Sequence, residues 1–313
     1  MLTLARRSSP LLPTMSRSSS RLASSLSPLL STEQVQELAQ GGERRVRFLD
    51  ASWYLDKSRD AKKEFAAERL PGAQFFDIEQ ISDATSTLPH MLPTPETFEH
   101  AMMYLGVEND DTVVVYGGKH CFSPARCWWM FKYFGHDSVH ILNGGITKWK
   151  SEQREIETGE PQKVVAGAAF KAKPNEALAV SWEDVLEKIG SNTQIVDARG
   201  AARFYAKDPE PRPGMRGGHI PGALNVPFGK LVSLDDYSLF RDLAEIKSAF
   251  AEANVKTDET SPIITSCGSG VTACMLTFGL HLAGKPLEKA PVYDGSWSEW
   301  GLRSDLPLET ESK

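Results

Sequence analysis

The chain has 313 residues, 41% hydrophobic and 24% charged, with four cysteines and a formal net charge of −6. That is the make-up of an ordinary soluble protein of about two domains at roughly 150 residues each, and it excludes a collagen, a disordered chain and a small disulfide-stapled fold. The acidic balance argues against nucleic acid as a direct partner. No apolar run reaches the roughly 18 residues of a membrane span, and Val113-Val114-Val115-Tyr116 is a buried strand by length, so no membrane association is expected.

Residues 1–32 contain Arg6, Arg7, Arg17, Arg21 and ten serines, with no Asp, Glu or Lys before Glu33. This is the composition of a mitochondrial transit peptide and predicts a matrix location. A start at Met15 would leave a shorter basic segment and a second, cytoplasmic form. Without residues 1–32 the net charge falls to −10. Cys121, Cys127, Cys267 and Cys274 lack C-x-x-C spacing and nearby histidines for a tetrahedral zinc site, and a reducing matrix makes free thiols the default.

The rest of the chain reads as a repeat. Ser31-Thr32-Glu33-Gln34-Val35 resembles Ser181-Trp182-Glu183-Asp184-Val185, and Phe48-Leu49-Asp50-Ala51 resembles Ile195-Val196-Asp197-Ala198. Leu70-Pro71-Gly72-Ala73 matches Ile220-Pro221-Gly222-Ala223, and Asn143-Gly144-Gly145 with Trp149 matches Asp294-Gly295-Ser296 with Trp300. Four matches in order, at offsets between 147 and 151, predict two copies of one domain, at 33–158 and 178–313, joined by a polar linker over 159–177. Short β-branched runs alternate with helical patterns, which predicts an α/β fold with a mainly parallel sheet and helices on both faces. In the second copy, strands are expected at Gln194–Asp197, near Ala223–Val226, at Pro262–Ser266 and at Pro291–Asp294. Helices are expected at Trp182–Ile189, Leu243–Ala253 and Thr272–Ala283.

The copies differ after the Val113–Tyr116 and Pro262–Ser266 strands. In the second, Ile263-Ile264-Thr265-Ser266 runs into Cys267-Gly268-Ser269-Gly270-Val271-Thr272 and then an apolar helix. Glycines let successive N–H groups converge, and the helix adds its positive dipole end, so this cradle favours a thiolate at Cys267 as a nucleophile. Cys274, further into the helix, reads as a small buried apolar side chain. The first copy instead has Gly117-Gly118-Lys119-His120-Cys121-Phe122-Ser123 before its helix, with no cysteine at the strand end, and reads as catalytically silent.

Two tandem domains with Cys267 to Thr272 in the second only, together with Gly218-His219-Ile220-Pro221-Gly222-Ala223 and Tyr293-Asp294-Gly295-Ser296-Trp297, resemble the tandem-rhodanese sulfurtransferases, and within them the mercaptopyruvate branch. The resemblance implies a persulfide relay. Cys267 attacks the sulfur of 3-mercaptopyruvate, pyruvate leaves, and a thiol acceptor such as thioredoxin or glutathione, or cyanide, takes the outer sulfur. Hydrogen sulfide follows when a dithiol reduces the product. No metal or organic cofactor is implied. The resemblance also assigns the donor carboxylate to Arg203 and Arg212, the loop donors to Gly268, Gly270, Val271 and Thr272, and a proton relay to Ser269, His90 and the acid position Glu79, where the family has Asp.

Donor choice has a charge argument of its own. The thiosulfate branch carries Cys-Arg-Lys-Gly-Val-Thr, with two cations for a dianion, and here those positions are Gly268 and Ser269. A mercaptopyruvate carboxylate suits a guanidinium fork. Thiosulfate sulfurtransferase activity and a sulfur-carrier role in tRNA thiolation or cofactor sulfuration are the alternatives. A cysteine phosphatase is excluded, because Ala273 and Cys274 stand where its phosphate-binding arginine would be.

Overall fold

A computed structural model describes residues 26–42, 44–162, 164 and 169–310. The first copy runs β1 (Leu29–Leu30), α1 (Thr32–Gly41), β2 (Val46–Asp50), α2 (Ala61–Ala67), β3 (Gln74–Phe75), α3 (Pro95–Leu105), β4 (Thr112–Tyr116), α4 (Pro124–Tyr133), β5 (Val139–Leu142) and α5 (Gly145–Ser151). The second runs β6 (Ala179–Val180), α6 (Trp182–Lys188), β7 (Gln194–Asp197), α7 (Ala201–Phe204), β8 (Leu224–Asn225), α8 (Leu243–Glu252), β9 (Ile263–Ser266), α9 (Ala273–Leu282), β10 (Val292–Tyr293) and α10 (Ser296–Trp300).

Each copy forms a five-stranded sheet of parallel pairs, in the orders β1-β5-β4-β2-β3 and β6-β10-β9-β7-β8. These are the same order under the repeat. The central strands β4 and β9 are buried along their whole length, as their β-branched runs require in a sheet covered on both faces. Ser31 and Ser181 close capping boxes with Gln34 and Asp184, so the repeated Ser-x-x-polar signal starts α1 and α6.

The helices that follow the two contrasted loops, α4 and α9, pack on each other across the copies. Both are apolar nearly all round, as helices buried between two sheets must be. Trp128 meets Phe278 edge-on with ring centroids 4.8 Å apart, and one continuous apolar core includes both. Trp128, Trp129, Trp149, Trp297 and Trp300 are all buried, as packing residues.

Two boundaries differ from the sequence expectation. β1 pairs with β5, Ile141 N donates to Pro28 O at 2.8 Å, and Leu30 is fully buried, so the first copy starts near residue 27 rather than 33. Removal of residues 1–32 would take away an edge strand and the cap of α1. Residues 1–25, which carry the four arginines, lie outside the described residues. The connecting stretch is also not a free linker. Gly159 N donates to Ala66 O, Arg69 donates to the carbonyls of Gly159 and Glu160, and Phe170 is buried against Phe98. Its described parts are packed onto the first copy.

Candidate active site

Cys267 follows the last residue of β9, at the carboxyl end of the sheet, where open α/β sheets bind ligands. Its carbonyl accepts from Trp297 N at 3.0 Å, and the Gly268 carbonyl accepts from Ser298 N at 2.8 Å and Ser298 Oγ at 2.6 Å. Cys267 N donates to Ser296 Oγ at 3.1 Å. The first turn of α10 thus takes up the loop's early polar groups. Among the described residues, the N–H groups of Gly268, Ser269, Gly270, Val271 and Thr272 donate to no protein acceptor. Thr272, the N-cap of α9, makes no side-chain cap either. Five uncommitted amides beside one sulfur form an anion cradle. Gly270 is needed there: its φ is +75°, and a Cβ would lie 2.7 Å from the Asp294 carbonyl oxygen.

The loop opens onto a cavity of about 420 Å³ lined by both copies. Cys267, Gly268, Ser269, Val271, Thr272, Arg199, Arg203 and Arg212 come from the second copy. Trp53, Tyr54, Leu55, Arg59, His120 and Phe122 come from the first. Arg203 Nη2 donates to Glu210 Oε2 at 2.5 Å, while its Nε is buried without a partner. Arg212 Nη1 donates to Ser298 Oγ at 3.1 Å, and among the described residues it pairs with no carboxylate. Burial and then the neighbouring Arg203 lower the Arg212 pKa, with Cys267 and Glu210 opposing. A cation so placed gains from an arriving anion. Arg199 is spent internally, on Asp197 and Glu210 at 2.7 Å each, and stacks over Trp297.

His90 reaches in from the first copy, with Nδ1 3.2 Å from Ser269 Oγ. Burial foremost, then Arg126, Arg212 and Lys57, push its pKa down to about 3, so the imidazole is neutral. Glu79 does not complete a triad. Its Oε1 accepts from Trp53 Nε1 at 2.8 Å, and Trp53 packs edge-on against His90 at 4.9 Å between centroids. The longer carboxylate fixes an aromatic wall of the imidazole instead of the imidazole itself. His219 is buried, stacked on Phe204 at 3.8 Å with Nδ1 on the Phe204 carbonyl, a turn residue of the fold. Cys274 Sγ donates to Gly270 O at 3.1 Å and supports the loop from below, burial raising its pKa well above the ordinary thiol value.

A family model described as the rhodanese-like domain matches residues 31–152 and again 181–303. The chain belongs to the rhodanese family. It is 46% identical over 254 residues to 3-mercaptopyruvate sulfurtransferase of Escherichia coli strain K12, covering 81% of this chain and 87% of that one. It is 39% identical over 289 residues to the mitochondrial thiosulfate/3-mercaptopyruvate sulfurtransferase 1 of Arabidopsis thaliana, covering 86% and 75%. The crystal structure of SseA from Escherichia coli, a 3-mercaptopyruvate sulfotransferase with the rhodanese fold, superposes with a TM-score of 0.76 at 39% identity, covering 88% of this chain and all of that one.

The structure therefore brings Cys267, Ser269, Arg203 and Arg212 around one cavity, with His90 buried against Ser269 outside that lining, and leaves Glu79 one aromatic ring away. Sequence reasoning missed Trp53, Glu210, Arg126 and Asp294. Glu210 had a signal, a carboxylate between two arginines nine apart. Asp294 had one too, as the partner of Asn143 in the repeat. Arg126 had none, because its bond to Asp294 spans 168 residues of sequence.

Proposed function

We propose that this sulfurtransferase takes sulfur from 3-mercaptopyruvate onto Cys267 and passes it to a thiol. The Cys267 thiolate attacks the donor sulfur, the sulfur–carbon bond breaks with its electron pair moving to carbon, and the donor thiol's proton goes to the resulting enolate, giving pyruvate and a Cys267 persulfide. Attack by an acceptor thiol on the outer sulfur regenerates Cys267. The carrying observation is the loop of uncommitted amides facing a cavity that also holds Arg203, with its unpartnered Nε, and Arg212. The amides stabilise the anionic persulfide, and the guanidinium groups hold the donor carboxylate. Ser269 and neutral His90 carry the proton. The first copy walls the cavity, and its free thiols Cys121 and Cys127 are buried.

The donor and acceptor are testable together. Steady-state rates with mercaptopyruvate and thiosulfate side by side, with thioredoxin, glutathione and cyanide as acceptors, are expected to favour mercaptopyruvate, and thioredoxin should release hydrogen sulfide. A thiosulfate preference would overturn the reading. The Arabidopsis relative named for both donors makes that arm worth running. The arginine-rich, acid-free N-terminus and the mitochondrial name of that relative support import into mitochondria. A reporter fused to residues 1–32 should enter mitochondria and stay cytosolic once Arg6, Arg7, Arg17 and Arg21 are Gln.

A further inference from the structure

Beneath the loop, outside the cavity, Arg126 of α4 and Asp294 after β10 form an ion pair across the two copies. Arg126 Nη1 donates to Asp294 Oδ1 at 2.5 Å, and their side chains are 1% and 7% exposed. Two further bonds of the pair run to one short turn: Arg126 Nη2 donates to His90 O, and Asp294 Oδ2 accepts from Leu92 N at 2.8 Å, while Arg126 also contacts the Cys274 thiol under the loop. That turn holds His90 at φ +62°, a left-handed conformation that a non-glycine residue keeps only when its surroundings fix it. The same pair touches the catalytic loop, since a Cβ on Gly270 would lie 3.0 Å from both Arg126 Nη1 and Asp294 Oδ1. One buried contact thus sets both sides of the His90–Ser269 approach.

The pseudo-symmetric position supplies a comparison within the molecule. Asn143, the counterpart of Asp294, accepts from Phe240 N at 2.9 Å, as Asp294 does from Leu92 N. Gly144 N donates to Ser238 O there, where Arg126 serves His90 O here. In the first copy Arg126 is the third residue after the N-cap Ser123, and in the second Met275 is the third after Thr272. Both crossings are latched by hydrogen bonds, yet among the described residues only the crossing that carries His90 has a buried charge pair. The charge pair is thus particular to the crossing that carries His90.

We infer that Arg126 and Asp294 are positioning residues for proton transfer, holding the His90 turn against Ser269 so that the donor thiol's proton reaches the pyruvate enolate. The inference rests on the mercaptopyruvate reading above. Discharge of a preloaded Cys267 persulfide to cyanide forms a sulfur–carbon bond, breaks the sulfur–sulfur bond and leaves the Cys267 thiolate, with no proton delivered to a leaving group. It is therefore an internal control.

Arg126→Lys keeps the charge but cannot span His90 O and Asp294 at once. It is expected to lower kcat with mercaptopyruvate at least about tenfold, with KM changed less than about twofold and cyanide discharge of the preloaded persulfide lowered less than about twofold. Arg126→Met with Asp294→Leu, which leaves no buried charge unpaired, should show the same pattern if the single variant folds poorly. Equal losses in loading and discharge, a rise in KM alone, or wild-type kcat in both variants would overturn the positioning role. Absence of mercaptopyruvate turnover in the wild type would overturn the earlier reading instead.

Discussion

The loops after β4 and β9 begin from the same place in two matching sheets and end at N-caps with nearly the same backbone, Ser123 at φ −78°, ψ −17° and Thr272 at φ −77°, ψ −15°. His120 at φ +59° stands where Gly270 has φ +75°. The difference lies in what their donors do. In the first copy Gly118 N donates to Ser52 Oγ at 2.9 Å, His120 N to Asp236 Oδ1 at 3.1 Å and Cys121 N to Gly118 O at 3.1 Å. Arg59 ties down the Lys119 carbonyl at 2.5 Å, and the Tyr54 hydroxyl would lie 2.3 Å from a Cβ on Gly118. One scaffold therefore gives a filled loop and an open one. A nucleophile needs the open loop as much as it needs the cysteine.

The most severe way to break the comparison is to remove the sulfur. Cys267→Ser should abolish transfer with every donor while the protein stays folded, because a hydroxyl cannot form a persulfide. In the wild type, mass spectrometry after donor without acceptor should find one added sulfur on the Cys267 peptide. An adduct on Cys121 or Cys127 would reverse the assignment of the active copy. Burial pushes both of those thiols upward, Cys127 strongly. Adding Gly117→Cys to Cys267→Ser should restore nothing, since its Cβ would meet Cys121 Sγ at 2.9 Å and the neighbouring amides are largely taken.

Arg203→Ala and Arg212→Ala come next. Each removes a charge-assisted hydrogen bond of about 1.5–3 kcal/mol, which is a rise in mercaptopyruvate KM of roughly 10- to 150-fold. Thiosulfate should suffer less. Equal losses with both donors would mean that the two arginines support Glu210 and Ser298, their present partners, and not the donor carboxylate.

A smaller shift is expected from giving the open loop the charges of the thiosulfate branch. Gly268→Arg with Ser269→Lys should raise the thiosulfate-to-mercaptopyruvate ratio of kcat/KM by at least about tenfold, because a dianion gains more from two added cations than a monoanion does. Arg203 Nη2 lies 3.4 Å from a Cβ at 268, so like-charge repulsion offsets part of the gain. Ser269→Ala alone separates the effects, lowering mercaptopyruvate rates without improving thiosulfate. An unchanged ratio in a folded, persulfide-forming double variant would detach donor choice from this loop.

Much of this contrast is written locally. The β-branched runs, the repeated Ser-x-x-polar starts and the Cys-Gly-Ser-Gly loop each act within a few residues, so the strands, the capped helices and the place of the Cys267 loop are readable from sequence. What fails is whatever depends on distant packing. β1 is two residues long and counts as a strand only beside β5, and α7 and α10 are too short for a periodic pattern. Phe170 looks like a linker residue until Phe98 covers it. Glu79 sits at the right place in the chain, yet its reach is decided by Trp53, which lies 26 residues away in sequence.

The gentlest test concerns acid. Burial lowers the pKa of His90 to about 3 and of His136 to about 4, and also depresses His140, His219 and His281. Three of these five histidines are in the first copy. Below the ordinary 6.5 the unfolded chain takes up protons that these buried rings refuse, so stability falls as pH drops from 6.5 toward 3 to 4. Asp50, raised to about 6 by burial, acts in the opposite sense: between 3.8 and 6 the folded chain holds a proton that the unfolded chain releases, which offsets part of the loss. Melting temperature should therefore decline from pH 7 to pH 5, and Asp50→Asn should steepen that decline because it removes the compensating group. His136→Gln should flatten it. A melting temperature level across this range in all three proteins would mean that the rings are not held neutral in the folded chain.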